Sequence, residues 1–184
     1  VQQIIEFIGT FAFAISGIRQ AAAKKFDWFG GFVCGFAVAI GGGTIRDLML
    51  GVTPFWMTSY SYIICTIIAQ LFLIVFARYM KKLNNAWMVF DTLGLALFTI
   101  VGMQKTLLYH HPFWVAIIMG SITGAAGGVI RDVLLNHVPV IFQKEIYEIL
   151  KNKELPILSR VLLAALFQYG VAGFGITIVS ILRK

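Results

Sequence analysis

The chain has 184 residues, is 59% hydrophobic and only 12% charged, and its mean hydropathy is +0.87. A water-soluble domain of this length needs far more surface charge, so the composition excludes that class and indicates a multi-pass membrane protein, with residues 1–184 forming a single membrane domain. The net charge of +7 does not indicate a nucleic-acid partner, because no basic cluster carries the aromatic or loop motifs of such proteins.

Six apolar segments follow one another along the chain. Each is long enough to cross a hydrocarbon layer of about 30 Å as a helix. Because alternating strand patterns are absent and every backbone polar group in lipid needs an internal partner, an all-α integral membrane protein is predicted. Basic residues follow the first segment rather than precede it, the wrong order for a signal sequence, so we expect this segment to be retained. The predicted spans are residues 4–23, 28–50, 55–77, 87–108, 113–135 and 155–182.

The sequence repeats itself, without a gap, when it is shifted by 85 residues. Each copy is three predicted helices long, so the second copy enters the membrane from the opposite side. An inverted repeat of two three-helix units is therefore predicted, over residues 4–77 and 87–182. The matching positions are Glu6 and Asp91, Gly42 and Gly127, Gly43 and Gly128, Arg46 and Arg131, Asp47 and Asp132, and Pro54 and Pro139.

The loops of the two predicted membrane faces differ in charge. On the second face, the basic residues are nearly all accounted for by Lys105 and the last two residues of the chain. By the positive-inside rule, the basic face is cytoplasmic and the N-terminus lies outside the cell. The basic residues of the cytoplasmic face are Arg19, Lys24, Lys25, Arg78, Lys81, Lys82, Lys144, Lys151, Lys153 and Arg160.

Glycines cluster in the second and fifth predicted helices. Gly41, Gly42 and Gly43 are consecutive, and Gly127 and Gly128 are the counterparts of Gly42 and Gly43. Adjacent glycines lie on different faces of a helix, so one packing contact cannot use them all. We therefore predict a bend or local unwinding of both helices beside a transport path, with tight helix packing as the alternative. Hydroxyls are further candidates for lining the path, although they more often bond their own backbone: Ser16, Thr44, Ser121 and Thr123.

The repeated Arg-Asp pairs are predicted to have gating or structural roles. Adjacent residues do not face each other on a helix, so Arg46 is not expected to satisfy Asp47. The inverted topology instead predicts one ion pair between Glu6 and Arg46 on the outer side. Its equivalent on the inner side joins Asp91 to Arg131, beside Asp132. The alternative is that each arginine reaches the lipid headgroups from its helix end.

Other polar residues suggest no catalysis. Lys105 is interpreted as an anchor at the membrane interface, with a response to voltage as the alternative. Cys34 and Cys65 lie inside apolar spans and are predicted to be packing residues. The sequence holds no Ser-His-Asp set, no metal-ligand spacing and no phosphate loop, so neither an enzyme activity nor a metal or other cofactor is expected.

Four motifs resemble the bacterial branch of the trimeric intracellular cation (TRIC) channel family, some members of which are described as glycine transporters. The motifs are residues 7–17, 41–47, 127–132 and 144–147, and the resemblance covers roughly residues 4–148. It implies a seven-helix protomer with two inverted three-helix repeats and an extra last helix. It also implies a homotrimer in the plasma membrane of a bacterium or archaeon, with a potassium-conducting pore inside each subunit beside the second and fifth helices.

The chain departs from the family pattern after Tyr147. A polar stretch, residues 148–154, precedes a single apolar run of residues 155–182, which is too short for two spans. Either the sixth or the seventh helix of the family is therefore missing, and the C-terminal part of the second repeat is altered.

Three functions are compatible with the sequence. The first is a monovalent-cation channel with potassium as the permeant ion. The second is a carrier for a small amino acid such as glycine, which works by rocking one repeat against the other. The third is a structural or lipid-binding membrane protein without transport. The same glycines serve a channel or a carrier, so the sequence does not separate the first two.

Overall fold

The computed structural model describes residues 2–82 and 86–139, and the predicted sixth span lies outside the described residues. Five long helices account for the other five spans, and this part of the chain contains no strand. They are α1 (Gln2–Ala23), α2 (Trp28–Met49), α3 (Ser61–Lys82), α4 (Ala86–Leu108) and α5 (Phe113–Leu134). The all-α fold class is confirmed.

The third helix begins later than predicted. The sequence places the start of this span at residue 55, but α3 begins at Ser61. Pro54 has no N–H with which to continue a helix, and Phe55–Met57 forms a short 3-10 turn instead, closed by a bond from Met57 N to Pro54 O at 2.9 Å. The turn brings the backbone of Phe55 back towards the end of α2, which matters for the site described below.

Three of the described helices, α1, α2 and α5, are each long and apolar enough to cross a membrane. A shorter apolar stretch, Ser61–Phe76, forms most of α3. Large apolar side chains of α3 are exposed on the protein surface, as lipid contact requires. They include Ile64, Ile68, Leu71 and Val75.

The repeat extends to the backbone turns. Helix α2 shifted by 85 residues coincides with α5. Lys25 and His110, which are counterparts, follow α1 and α4 with φ values of 62° and 59°. Gly51 and Asn136, also counterparts, follow α2 and α5 with φ values of 69° and 54°. A left-handed residue after a helix is a common C-terminal cap, so all four helices end in the same way.

A pseudo-two-fold axis exchanges α1 with α4 and α2 with α5, and it passes through the aromatic centre of the bundle. Phe13 stacks on its own counterpart, Phe98, with ring centroids 5.4 Å apart and an interplanar angle of 13°. Gly9 and Gly94 leave the room for these rings, because a Cβ atom on either glycine would contact the phenylalanine of the other repeat. Cys34 belongs to the same core, as predicted for a packing residue.

Helices α2 and α5 meet backbone to backbone. A Cβ atom on Gly42 would collide with the carbonyl oxygen of Thr123. A Cβ atom on Gly127 would lie 2.9 Å from the carbonyl oxygen of Val38, the counterpart of Thr123. Only glycine allows this approach, so the central contact of the bundle depends on these two positions.

Candidate functional site

Two clusters of charged side chains are buried at opposite ends of the bundle. The first cluster consists of Glu6, Arg46, Asp47 and Lys105. The second cluster consists of their counterparts Asp91, Arg131, Asp132 and Gln20, so a glutamine replaces the lysine. Glu6 and Gln20 are about 21 Å apart along α1, given the rise of a helix. The two clusters therefore close the two ends of one bundle.

Asp47 is the hub of the first cluster. Its Oδ1 lies 2.7 Å from Arg46 Nε and 2.9 Å from Lys105 Nζ. Its Oδ2 accepts a hydrogen bond of 2.8 Å from the backbone N–H of Phe55, which the 3-10 turn places there. The Asp47 side chain is fully buried. One carboxylate thus joins α2, α4 and the turn before α3.

Glu6 completes the first cluster from α1. Its Oε1 lies 3.8 Å from Arg46 Nη2, an ion-pair distance that is too long for a hydrogen bond. Its Oε2 accepts a hydrogen bond of 3.1 Å from the Tyr62 hydroxyl on α3. The predicted Glu6–Arg46 pair is therefore present, and it is loose.

Arg46 is fully enclosed by protein. Its side chain is 0% exposed, so the expected alternative, that it reaches the lipid headgroups, is wrong. The ring of Phe55 lies over the guanidinium, with 5.6 Å from Cζ to the ring centroid. Neither Nη1 nor Nη2 has a hydrogen-bond partner among the residues that the structure describes.

The second cluster is more completely bonded. Arg131 Nη1 pairs with Asp91 Oδ1, which is the predicted inner ion pair. The same Nη1 donates a hydrogen bond of 3.1 Å to the hydroxyl of Ser16. The Ser16 hydroxyl in turn donates a hydrogen bond of 3.1 Å to Asp91 Oδ1. With its amide oxygen facing the guanidinium, Gln20 accepts from Arg131 Nε at 2.9 Å. Ser16 therefore belongs to a buried polar network, and its predicted place on a transport path stays a prediction.

Both arginines also bind the aspartate that follows them. Arg131 Nε lies 3.0 Å from Asp132 Oδ1. Likewise, Arg46 Nε lies 2.7 Å from Asp47 Oδ1. The expectation that Arg46 does not satisfy Asp47 is wrong. The helix rule concerns the directions of Cβ atoms, whereas the long arginine side chain carries its Nε across the helix surface to the neighbouring carboxylate.

Sequence reasoning missed the role of Lys105. Its ion pair with Asp47 lies inside the bundle and its side chain is only 16% exposed, so the interpretation as an interface anchor is wrong. A response to voltage stays a prediction. The repeat held the signal: Lys105 falls on Gln20, and a polar residue at this register in both copies indicates that each faces a buried Arg-Asp pair.

The consecutive glycines serve three different contacts. A Cβ atom on Gly41 would meet Ile130, one on Gly42 would meet Thr123, and one on Gly43 would meet Phe55. Helix α2 runs unbroken through all three, as α5 does through its own glycines. Local unwinding is therefore absent from these two helices, and the predicted bend stays a prediction. The inference that one packing contact cannot involve all three glycines holds, because each glycine makes a separate contact.

Gly128 and the hydroxyls differ from these packing glycines. A Cβ atom on Gly128 would make an ordinary van der Waals contact of 3.8 Å with Arg131 Nη2 and would meet no backbone atom of a neighbouring helix. The Thr44 hydroxyl donates a hydrogen bond of 2.8 Å to the carbonyl oxygen of Ile40. Thr123 and Ser121 likewise donate to their own helix. A role of Thr44, Thr123 and Gly128 in a transport path stays a prediction.

Comparison with known proteins gives consistent matches. The family model described as "Glycine transporter" matches residues 3–78 and 88–171. A UPF0126 membrane protein of Vibrio cholerae is 42% identical over 148 residues, which are 78% of this chain and 61% of that protein. The UPF0126 inner membrane protein YadS of Escherichia coli K12 is 39% identical over 146 residues, which are 78% of this chain and 70% of that protein.

Solved structures with the same fold are cation channels. The fold is similar to that of the TRIC trimeric intracellular cation channel orthologue from Rhodobacter sphaeroides, with a TM-score of 0.75 and 31% identity, covering 95% of this chain and 91% of that one. A prokaryotic TRIC channel in 0.5 M KCl matches with a TM-score of 0.73 and 25% identity, covering 96% of both chains.

Proposed function

Since the chain belongs to the TRIC-related glycine transporter family, we propose that this bacterial membrane protein is a monovalent-cation channel that conducts potassium. The observation that carries the proposal is the similarity to the Rhodobacter TRIC channel orthologue, which extends over 95% of the chain. In this proposal three copies assemble, like the trimeric channel orthologue from Rhodobacter sphaeroides, and each protomer contains its own pore. Membrane lipids are the other partners, and no cofactor is required.

We place the pore across the membrane, beside α2 and α5 and perpendicular to the pseudo-two-fold axis, which lies in the membrane plane. The charged clusters lie at the two ends of this pore and act as gates. The first cluster has two cations and two carboxylates and is formally neutral, whereas the second has one cation and two carboxylates. An excess negative charge in a narrow, low-dielectric passage attracts cations and repels anions, which supports permeation by a cation.

A carrier for a small amino acid is the second candidate. The description of the matching family model favours it. The two clusters supply a further argument, because a carrier needs one gate on each side of its substrate and the repeat provides two equivalent ones. Rocking of one repeat against the other would open the two gates in turn.

Flux through liposomes that contain the purified protein separates the two candidates. Potassium flux and labelled glycine uptake are measured at set membrane potentials, with single-channel recording in planar bilayers. A channel gives rapid potassium flux without glycine and discrete conductance steps. Saturable glycine uptake without potassium conductance would establish the carrier and contradict the channel.

Gly128→Leu tests the position of the path. A Cβ atom at Gly128 would meet Arg131 Nη2 at an ordinary contact distance of 3.8 Å and no backbone. In this proposal the leucine side chain projects into the pore. We expect potassium flux to fall at least about tenfold while the unfolding temperature stays unchanged. Leu134→Met, on the exposed end of α5, is the control with normal flux. Normal flux through Gly128→Leu would place the pore elsewhere.

A further inference from the structure

Arg46 has hydrogen-bonding capacity that the first cluster does not use. Its guanidinium is 0% exposed, and both Nη atoms lack a hydrogen-bond partner among the described residues. Each Nη atom carries two N–H groups, so four of the five donors of this side chain are unpaired. A buried charged group left without acceptors is costly, and native proteins supply such acceptors from protein, water or a ligand.

The repeat shows that this shortage is particular to Arg46. Its counterpart Arg131 donates to Ser16 as well as to Asp91. The residue of the other repeat that corresponds to Ser16 is Val101, which has no acceptor to offer. Glu6 stays 3.8 Å from Nη2 and gives its other oxygen to Tyr62. The fold thus builds the same arginine site twice and leaves acceptors out of only one copy.

We propose that Arg46 and Glu6 bind a small zwitterion, with its carboxylate on Nη1 and Nη2 of Arg46 and its ammonium group on Oε1 of Glu6. The guanidinium fork matches the two oxygens of a carboxylate. A lone anion would add a third negative charge beside Glu6 and Asp47, whereas a zwitterion leaves the formally neutral cluster neutral. This site deepens the carrier candidate and rests on it; the channel proposal does not depend on it.

Aromatic side chains limit the size of the ligand. Phe55 covers one face of the Arg46 guanidinium and packs edge-on against Tyr62, with ring centroids 4.6 Å apart. Gly43 lies under the Phe55 ring, so no side chain separates the ring from α2. Lys105 is the most exposed member of the cluster, so we place the entrance of the proposed site on its side. We expect these rings to admit glycine and to exclude amino acids with large side chains.

Equilibrium binding of labelled glycine to the purified protein in lipid nanodiscs tests the site. Arg46→Lys keeps the charge but loses the fork, and we expect its glycine affinity to fall at least about tenfold. Arg19→Lys, a change outside both clusters, is the matched control and should bind like the unchanged protein. An equal loss in Arg131→Lys would overturn the assignment to Arg46.

Glu6→Gln provides a second variant in case Arg46→Lys does not fold. The glutamine keeps a hydrogen-bond acceptor for Tyr62 and removes the charge that holds the ammonium group, so glycine affinity should fall at least about fivefold. Folding of both variants is checked by circular dichroism and size-exclusion chromatography. Unchanged glycine affinity in folded Glu6→Gln would overturn the proposed role of Glu6.

Competition experiments identify the ligand class. Glycine should displace the label, whereas acetate, methylamine and leucine should each need at least about tenfold higher concentrations. Acetate as effective as glycine would overturn the zwitterion in favour of a plain anion site, and leucine as effective as glycine would overturn the size limit. If the folded protein binds no glycine, water satisfies Arg46 and the site is refuted. Potassium flux, measured separately, would still decide the channel.

Discussion

Asp47 joins α2, α4 and the turn before α3 in the first cluster. It binds Arg46, Lys105 and the backbone N–H of Phe55 while fully buried. Removing its charge leaves two cations with Glu6 as their one counter-charge in the first cluster, and breaking a buried ion pair costs about 3–5 kcal/mol.

We therefore expect Asp47→Asn to lower the free energy of unfolding in detergent by about that amount. Asp27→Asn is the matched control. Asp27 is the exposed N-cap of α2, and its carboxylate accepts a hydrogen bond of 2.7 Å from Gly30 N. Because asparagine caps helices equally well, Asp27→Asn should change the free energy of unfolding by no more than about 0.5 kcal/mol. Equal stabilities of the two variants would contradict the structural importance of the first cluster.

Lys105 and Gln20 are the position at which the two clusters differ in charge. Lys105→Gln gives the first cluster the charge of the second, and we expect the permeability ratio of potassium to chloride to rise severalfold at low salt, because the added negative charge attracts cations. The measurement is the reversal potential across a KCl gradient.

The reciprocal change, Gln20→Lys, should lower the same ratio. Both effects should weaken as the KCl concentration rises, since salt screens the added charge. A shift of both variants in the same direction would contradict the assignment of the two clusters to the permeation path.

At the scale of helices, the contact between α2 and α5 depends on Gly42. A Cβ atom there would strike the Thr123 carbonyl, so we expect Gly42→Ala to lower stability by about 2 kcal/mol or more. Gly128→Ala makes only an ordinary contact of 3.8 Å with Arg131 Nη2 and replaces a poor helix former by a good one, so it should raise stability by about 0.5–1 kcal/mol. Thermal unfolding in one detergent compares them, and the same sign for both would refute the packing interpretation.

Helix positions were predictable because apolar runs in a membrane protein translate directly into spans. The bounds of α2 and α5 agree with the sequence to within one residue. The start of α3 was not predictable from hydropathy, because Phe55–Met57 is as apolar as a span but is folded into a turn after Pro54. The turn exists to serve a tertiary contact, the bond from Phe55 to Asp47, which no local pattern reports.

The candidate site was predictable where the repeat constrained it. The inverted topology led to both inter-helix ion pairs, since it fixed which helix ends meet. It did not lead to the bond between Arg46 and Asp47, because a rule about Cβ directions does not describe a side chain with four rotatable bonds. The role of Lys105 was not predicted, because the repeat was identified from residues that match between the two copies. Gln20, the counterpart of Lys105, is polar but differs in charge.

At the scale of the molecule, the helices that the structure describes follow the repeat, and the turns at Lys25 and His110 test the inverted topology. These counterparts lie after α1 and α4, at opposite ends of the bundle. We expect Lys25→Cys to react with a membrane-impermeant thiol reagent only after the cells are opened, and His110→Cys to react in intact cells, with the native Cys34 and Cys65 replaced by alanine. Reaction of both from the same side would refute the inverted topology.

The stacking of Phe13 on Phe98 has a meaning for the history of the chain. The two rings occupy one position of a duplicated unit, and a position that meets its own copy is the mark of a symmetric homodimer. An ancestor half as long, inserted in the membrane in both orientations, would have made this contact between two separate chains. Fusion of two such copies would allow each half to change alone, and the two halves now differ at the pairs Gln20 and Lys105, and Ser16 and Val101.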